Sequence, residues 1–205
     1  MIDLYTWNTP NGRKVSIMLE EIELPYETHA INIAQDEQFT PEFLAISPNN
    51  KIPAIVDRDN GRSMMESGAI LMYLAEKSGH LLPSDEDSKW RVIEWLMMQM
   101  GSVGPMLGQT HHFVKYNQGK APYAEDRYLN ENKRIYGVLD RRLGECAYLA
   151  GDDYTIADVA TFPWIARWDW QTMDLNDTPN IKRWYLELAA RPAVQRGFDI
   201  PSKVQ

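Results

Sequence analysis

The sequence has 205 residues, a formal net charge of −8 and 44% hydrophobic residues. This length can bury one large core or two smaller ones. The acidic balance argues against a nucleic-acid surface, because no run of lysine or arginine gathers the basic residues into a patch. No apolar stretch approaches the roughly 20 residues that cross a bilayer, and the first residues lack the pattern of a signal peptide. We therefore expect a cytoplasmic protein that binds neither nucleic acid nor membrane.

Cys146 is the only cysteine in the sequence. An intramolecular disulfide, a Cys-x-x-Cys redox pair and a cysteine zinc cluster are therefore excluded. The adjacent His111 and His112 would point about 100° apart on a helix, and no spacing of further ligands around them completes a metal site. We expect no bound metal, and any thiol chemistry must proceed without a protein dithiol.

The first part of the chain predicts a small α/β unit. A strand at Ile2–Tyr5 is followed by turn-forming residues at Trp7–Gly12, and apolar residues then recur at helical spacing from Val15. A second strand is predicted between Pro25 and Ile33. Thr40, followed by proline, is typical of a helix N-cap.

The stretch Ser47–Ala69 predicts a strand, a hairpin at Asn60-Gly61, a second strand and a helix that Ser67 caps. Pro53 suits the start of a strand. If the Ile52–Pro53 bond is cis, the backbone of Ile52 can pair with a peptide-like ligand. The helix N-terminus can hold a carboxylate. The stretch thus offers a backbone clamp and an anion site, or else an ordinary strand and a capped helix.

Strand signals disappear after a helix stop at Gly79. A long helix is expected from Ser88, and the glycines and proline between Gly101 and Gly108 predict a bend or a break in it. Further helices are expected to begin at Pro122, at Thr155–Asp158 and near Pro179. The second of these starts is similar to a capping box, in which Asp158 serves folding and not catalysis.

The predicted fold class is therefore α/β plus all-α, with an α/β domain at residues 1–80, a linker at 81–87 and an all-helical domain at 88–205. This order resembles the glutathione S-transferase superfamily over essentially the whole chain. The resemblance is carried by Asn-Lys-Ile-Pro-Ala-Ile at 50–55 and Glu-Ser-Gly-Ala-Ile at 66–70. Thr-Pro-Asn-Gly at 9–12 and the stretch 104–113 are most similar to the nu class. The resemblance to this superfamily implies a thioredoxin-like N-terminal domain, with a cis proline, before the helical C-terminal domain.

The resemblance implies that Thr9 and Asn11 are the catalytic residues, close to the sulfur of bound glutathione. Free glutathione has a thiol pKa near 8.5 and is mostly protonated at neutral pH, whereas the thiolate is the nucleophile. Thr9 offers a hydroxyl and Asn11 an amide on the loop before the first helix, where hydrogen-bond donors stabilise an anion. The alternative is that both residues only shape the turn.

A glutathione site of mixed charge also follows from the resemblance. Glu66 would face the ammonium group of the γ-glutamyl end, and Ser67 with its helix N-terminus would face the carboxylate. Ile52, held by Pro53, would pair with the cysteinyl backbone.

The remaining implied contacts involve longer side chains. Gln38 and Lys51 would hold the glycyl carboxylate, although Lys51 could equally be a solvated loop lysine. Arg127 matches an arginine that nu-class sites recruit from a long helix. It could instead form a surface ion pair with Glu131 at i+4.

We therefore expect a homodimeric enzyme that reduces small disulfides by thiol-disulfide exchange with bound glutathione thiolate. Glutathione is a co-substrate, and no permanently bound cofactor is expected. Two alternatives remain: conjugation of glutathione to an electrophile at the same site, and a non-catalytic glutathione-binding regulatory module. Only Thr9 and Asn11 distinguish these alternatives in the sequence.

Overall fold

The computed structural model describes residues 1–201. Two compact units are present. The first comprises Met1–Leu82 together with the described residues from Ala190 onward, and the second comprises Pro83–Ala189. The first unit contains the sheet and the second is helical.

A four-stranded mixed sheet organises the first unit, in the order β2-β1-β3-β4. Its strands are β1 (Ile2–Thr6), β2 (Tyr26–Ala30), β3 (Ala54–Asp57) and β4 (Arg62–Met65). β1 runs parallel to β2, whereas β1–β3 and β3–β4 are antiparallel. The parallel pair requires a crossover, which the first helix provides. β2 ends at Ala30, short of the predicted Ile33.

Three helices of this unit follow the strands: α1 (Pro10–Glu21), α2 (Pro41–Ile46) and α3 (Ser67–Ser78). The predicted N-cap at Thr40 is present, since its hydroxyl accepts a hydrogen bond from the Phe43 N–H. Gly79 ends α3 in the left-handed conformation, as predicted. The prediction for Ser67 was wrong. Glu66 occupies the N-cap position, and Ser67 is the first helical residue, with its hydroxyl bonded to Lys14.

The last described helix, α9 (Pro192–Phe198), packs against α1. The Gly197 backbone lies so close to α1 that a Cβ atom there would be 2.5 Å from the Ile17 Cα. Ser16 Oγ donates to the Gly197 carbonyl at 2.6 Å, and the Arg13 guanidinium lies 3.6 Å from the centre of the Phe198 ring. The sequence-based division assigned this helix to residues 88–205, whereas its contacts lie with the sheet-containing unit.

The second unit is built from α4 (Glu86–Met98), α5 (Gly104–Thr110), α6 (Pro122–Glu145), α7 (Ile156–Ile165) and α8 (Pro179–Ala189). π-helical turns flank α5, so the predicted bend takes the form of widened turns. Gly104 and Gly108 allow the Trp164 ring to approach, because added Cβ atoms would lie 3.3 and 3.2 Å from it. In the described part of the chain, no helix has both the length and the apolar character needed to cross a bilayer.

Asp158 forms the predicted capping box at the start of α7. Its carboxylate is fully buried and accepts hydrogen bonds from the Thr155 N–H at 3.1 Å and the Leu149 N–H at 3.0 Å. The Trp184 indole donates a further bond at 2.9 Å. Burial raises the pKa of Asp158 to about 6, while these donors act in the opposite direction. The structural role predicted for Asp158 is confirmed. The helix itself ends at Ile165.

Candidate functional site

A pocket of about 150 Å³ lies in the first unit, between the start of α1, the loop before β3 and the start of α3. It collects most of the residues that the sequence analysis proposed for glutathione. The lining residues are Asn11, Ser47, Asn49, Lys51, Ile52, Pro53, Met65, Glu66 and Ser67.

Thr9 and Asn11 lie at the N-terminus of α1. Thr9 is the N-cap, and its hydroxyl accepts a hydrogen bond from the Gly12 N–H at 3.1 Å. Asn11 is the second residue of the helix and lines the pocket, so the prediction that it precedes the helix was wrong. Proline at the first helical position starts the helix at residue 10, within the predicted turn-forming stretch Trp7–Gly12. Thr9 is half-buried.

The loop before β3 supplies Lys51, Ile52 and Pro53, and the Ile52–Pro53 peptide bond is cis. Ser47, which is fully buried, donates its hydroxyl to the Lys51 carbonyl at 2.8 Å. This bond ties the loop to the end of α2. The Lys51 side chain is exposed at the pocket.

The opposite wall is formed by Glu66 and Ser67. Glu66 is a non-glycine residue with φ of 68°, a strained conformation that is often found at functional sites. Its carboxylate is exposed and accepts a hydrogen bond from the Asn49 amide at 3.4 Å. Ser67 is buried at the N-terminus of α3, where N–H groups lack partners within the helix. A carboxylate acceptor and a helix N-terminus of the kind that can bind an anion therefore lie side by side.

Lys14, on α1, is a residue of this region that the sequence analysis missed. Its side chain is 2% exposed, and its ammonium group donates to the Ser67 hydroxyl at 3.3 Å. Burial lowers the pKa of Lys14 to about 7, while the Glu66 carboxylate acts in the opposite direction. The sequence did carry a signal for Lys14: this lysine lies four residues before the apolar Met18, so helical spacing places both on the same side of α1, and both are buried.

Gln38 does not line the pocket. It lies in the short 3₁₀ helix Glu37–Phe39, where its amide donates to the Asp36 carboxylate at 3.5 Å. Its side-chain carbonyl oxygen is buried, and no donor within residues 1–201 reaches it. The sequence-based contact of Gln38 with a glycyl carboxylate stays a prediction.

Arg127 belongs to the second unit, on α6, where it is exposed at an open concavity of about 620 Å³. Glu131, its alternative partner in the sequence analysis, instead accepts two hydrogen bonds from Arg134, at 2.8 and 2.7 Å. Arg134 thereby lowers the pKa of Glu131. A glutathione contact of Arg127 stays a prediction.

A group of potential metal ligands lies away from the sequence-predicted residues, on β1 and β2. Asp3, Glu27 and His29 place ligand atoms within 4.8 Å of one another. The Arg58 guanidinium donates hydrogen bonds to the carboxylates of Asp3 and Glu27. It thereby supplies the positive charge that a metal ion would otherwise bring to this group. The hydrogen bond from Arg58 holds the pKa of Asp3 at about 2.

The sheet order, the cis proline before β3 and the all-helical second unit define a glutathione transferase fold. Residues 4–82 match the family model for the glutathione S-transferase N-terminal domain, and residues 95–192 match that for its C-terminal domain. The chain therefore belongs to the glutathione S-transferase family. The family resemblance and the fold class predicted from the sequence are confirmed.

Individual relatives are similar over nearly the whole chain. The disulfide-bond oxidoreductase YfcG of Escherichia coli K12 is 48% identical, over 94% of this chain and 92% of its own. A glutathione transferase family member from Pseudomonas fluorescens, solved with two glutathione molecules bound, is 46% identical with a TM-score of 0.88, over 96% and 92%. A Pseudomonas putida glutathione transferase, solved with glutathione disulfide, is 43% identical with a TM-score of 0.89, over 98% and 91%.

Proposed function

We propose that this protein is an enzyme that reduces small-molecule disulfides at the expense of glutathione. The observation that carries the proposal is the composition of the pocket. It joins Asn11 at a helix N-terminus to the loop at Lys51–Pro53 and to the pair Glu66 and Ser67. Glutathione offers matching groups, namely a thiol, a peptide backbone, an ammonium group and two carboxylates. Two relatives support the same reaction: YfcG is a disulfide-bond oxidoreductase, and the P. putida transferase was solved with glutathione disulfide bound.

The γ-glutamyl end would bind at Glu66 and Ser67. The exposed Glu66 carboxylate suits the ammonium group, and the N-terminus of α3 suits the carboxylate. The backbone of Ile52 would pair with the cysteinyl residue, and the exposed Lys51 would meet the glycyl carboxylate. Gln38 and Arg127 would extend these contacts.

Thr9 and Asn11 would stabilise the thiolate. Lowering the thiol pKa by about two units requires roughly 2.7 kcal/mol of preferential stabilisation of the anion. Hydrogen bonds to a charged acceptor and the positive end of α1 are sufficient sources of this energy. The Thr9 hydroxyl accepts from Gly12 and retains its own hydrogen for donation.

The reaction would proceed in two exchanges. The bound thiolate attacks one sulfur of the substrate disulfide, forming a mixed disulfide and releasing the other half as a thiolate. A second glutathione thiolate attacks the glutathione sulfur of the mixed disulfide, releasing the second substrate thiol and forming glutathione disulfide. Two glutathione molecules supply the two electrons. No protein dithiol is required, which agrees with the single cysteine.

We also propose a cytoplasmic homodimer. A reducing compartment keeps glutathione in the thiol form that the reaction consumes. Trp90 and Met97 lie seven residues apart on α4 and are 60% and 47% exposed, so they form an apolar face that a second copy could cover.

The first experiment compares steady-state turnover of a simple alkyl disulfide and of an aryl halide, each with glutathione. We expect disulfide reduction to exceed conjugation by at least about tenfold, because the proposed chemistry needs only thiolate attack on sulfur. Dominant conjugation would make the protein a conjugating transferase. No turnover of either substrate, while glutathione still binds, would favour the regulatory module.

A further inference from the structure

Lys14 is a charged residue in a place where charge is costly. Its side chain is 2% exposed and lies on α1, where Val15 and Met18 are fully buried as well. Lysine is almost never fully buried unless its charge is paired. Its ammonium group lies 3.3 Å from the hydroxyl oxygen of Ser67, which lines the pocket.

The hydrogen-bond chemistry of this pair has a fixed direction. An ammonium group only donates, so the Ser67 oxygen is the acceptor. A hydroxyl that accepts from a cation becomes a better donor, because the bonds of a chain polarise one another. The Ser67 hydroxyl hydrogen is therefore turned away from Lys14.

We propose that Lys14 is a positioning residue of the pocket: it orients the Ser67 hydroxyl as a donor and provides a buried positive charge next to it, so that the site selects a ligand carboxylate at the start of α3. This inference rests on the proposed function, in which that carboxylate belongs to the γ-glutamyl end of glutathione.

The Glu66 carboxylate is an ionised group that acts on Lys14, and it raises the pKa of the lysine against the effect of burial. Charged or titratable side chains on the elements packed against α1 have partners elsewhere. On β1, Asp3 pairs with Arg58 and Tyr5 stacks on His29. On α3, Tyr73 is hydrogen-bonded to Asp57, and Lys77 pairs with Asp57 and Asp59. On α9, Arg196 pairs with Glu20. Glu76 on α3 is exposed.

A bound carboxylate would change the protonation of Lys14. Burial leaves the pKa at about 7, so near pH 7.5 much of the ammonium population is deprotonated in the empty pocket. A ligand anion nearby favours the charged form and raises the pKa. Binding should therefore take up part of a proton, and affinity should fall as the pH rises above 7.

The test separates the γ-glutamyl carboxylate from the rest of the ligand. Calorimetry at pH 6.5 would measure the dissociation constants of two ligands, S-methylglutathione and an analogue in which 4-aminobutyryl replaces the γ-glutamyl group. The analogue lacks only the γ-glutamyl carboxylate. The S-methyl group removes thiol ionisation. We expect Lys14→Met to weaken S-methylglutathione roughly 10- to 50-fold, as for a charge-assisted hydrogen bond, and to change the analogue less than about twofold.

Lys51→Met is the matched control. It removes an exposed lysine from the same pocket, but one assigned to the glycyl carboxylate, which both ligands retain. It should weaken both ligands to the same degree. If Lys14→Met also weakened both equally, or neither, Lys14 would have only a structural role and the inference would be overturned.

A second measurement needs no variant. Calorimetry of the parent protein at pH 7.5, in buffers of different ionisation enthalpy, should show uptake of a fraction of a proton with S-methylglutathione and none with the analogue. Binding without this uptake would overturn the role of Lys14 and leave the proposed function intact. Failure of the parent to bind S-methylglutathione at all would overturn the proposed function as well.

Discussion

Thr9 combines two tasks in one hydroxyl group. As the N-cap of α1 it accepts a hydrogen bond from the Gly12 N–H. As the proposed catalytic residue it would donate its hydrogen to the glutathione sulfur. A cap is rigid because the helix behind it is rigid, so the donor is preorganised at low entropic cost. Substitution of Thr9 therefore affects both stability and chemistry, and a test has to separate them.

Thr9→Ala should lower the disulfide turnover number roughly 10- to 100-fold, because a donor to the thiolate is lost. It should also cost about 1 kcal/mol of stability through loss of the cap. Thr9→Ser keeps the hydroxyl and should retain both properties. Steady-state kinetics, with the ultraviolet absorbance of the bound thiolate followed against pH, would check this. Parent-like thiolate titration in Thr9→Ala would contradict the assignment.

At the scale of elements, the contact between α9 and α1 depends on a single position without a side chain. An added Cβ at Gly197 would lie 2.5 Å from the Ile17 Cα and 2.6 Å from its backbone nitrogen. Both are backbone atoms of a helix, so they cannot rotate away as a flexible side chain can. The two helices approach so closely only because position 197 is glycine.

Gly197→Ala should therefore lower the free energy of unfolding by about 1–3 kcal/mol, as overpacked sites do. Gly137→Ala is the matched control. Gly137 is exposed within α6 and has no atom within 4 Å of an added Cβ, so this change should stabilise by about 0.5–1 kcal/mol. Urea unfolding would measure both. An unchanged midpoint for Gly197→Ala would contradict the described packing of α9.

At the scale of the whole molecule, the proposed assembly depends on an apolar face of α4. Trp90 and Met97 lie on the same side of the helix, two turns apart, and both are largely exposed. Exposed apolar side chains that line up in this way are typical of interaction surfaces, whereas isolated ones are common on any protein. Charge placed on such a face should oppose its burial.

Sedimentation should therefore give a mass near twice the 23.7 kDa of one chain. Trp90→Glu should shift the equilibrium toward the monomer, since burying an unpaired carboxylate is costly. Leu186→Glu, at an exposed apolar residue of α8, is the control and should leave the dimer intact. A parent protein that sediments near 23.7 kDa would refute the dimer.

Most elements could be predicted because their signals are local. The cap at Thr40, the stop at Gly79 and the capping box at Thr155–Asp158 each depend on groups within about four residues, and all are present. The pocket loop was accessible for the same reason, since residues 47–67 form one stretch that supplies most of the lining. By itself, the sequence therefore determined the family, the fold class and the main candidates for the site.

Only the tertiary structure decided which distant residues meet. Lys14 reaches Ser67 across 53 positions, and Arg13 reaches Phe198 across 185. No periodicity of either segment encodes such a pair, because each helix pattern states only that a face is buried and not against what. The same limit applies to Ser67, which lies one residue inside α3 and whose hydroxyl partner Lys14 comes from another helix.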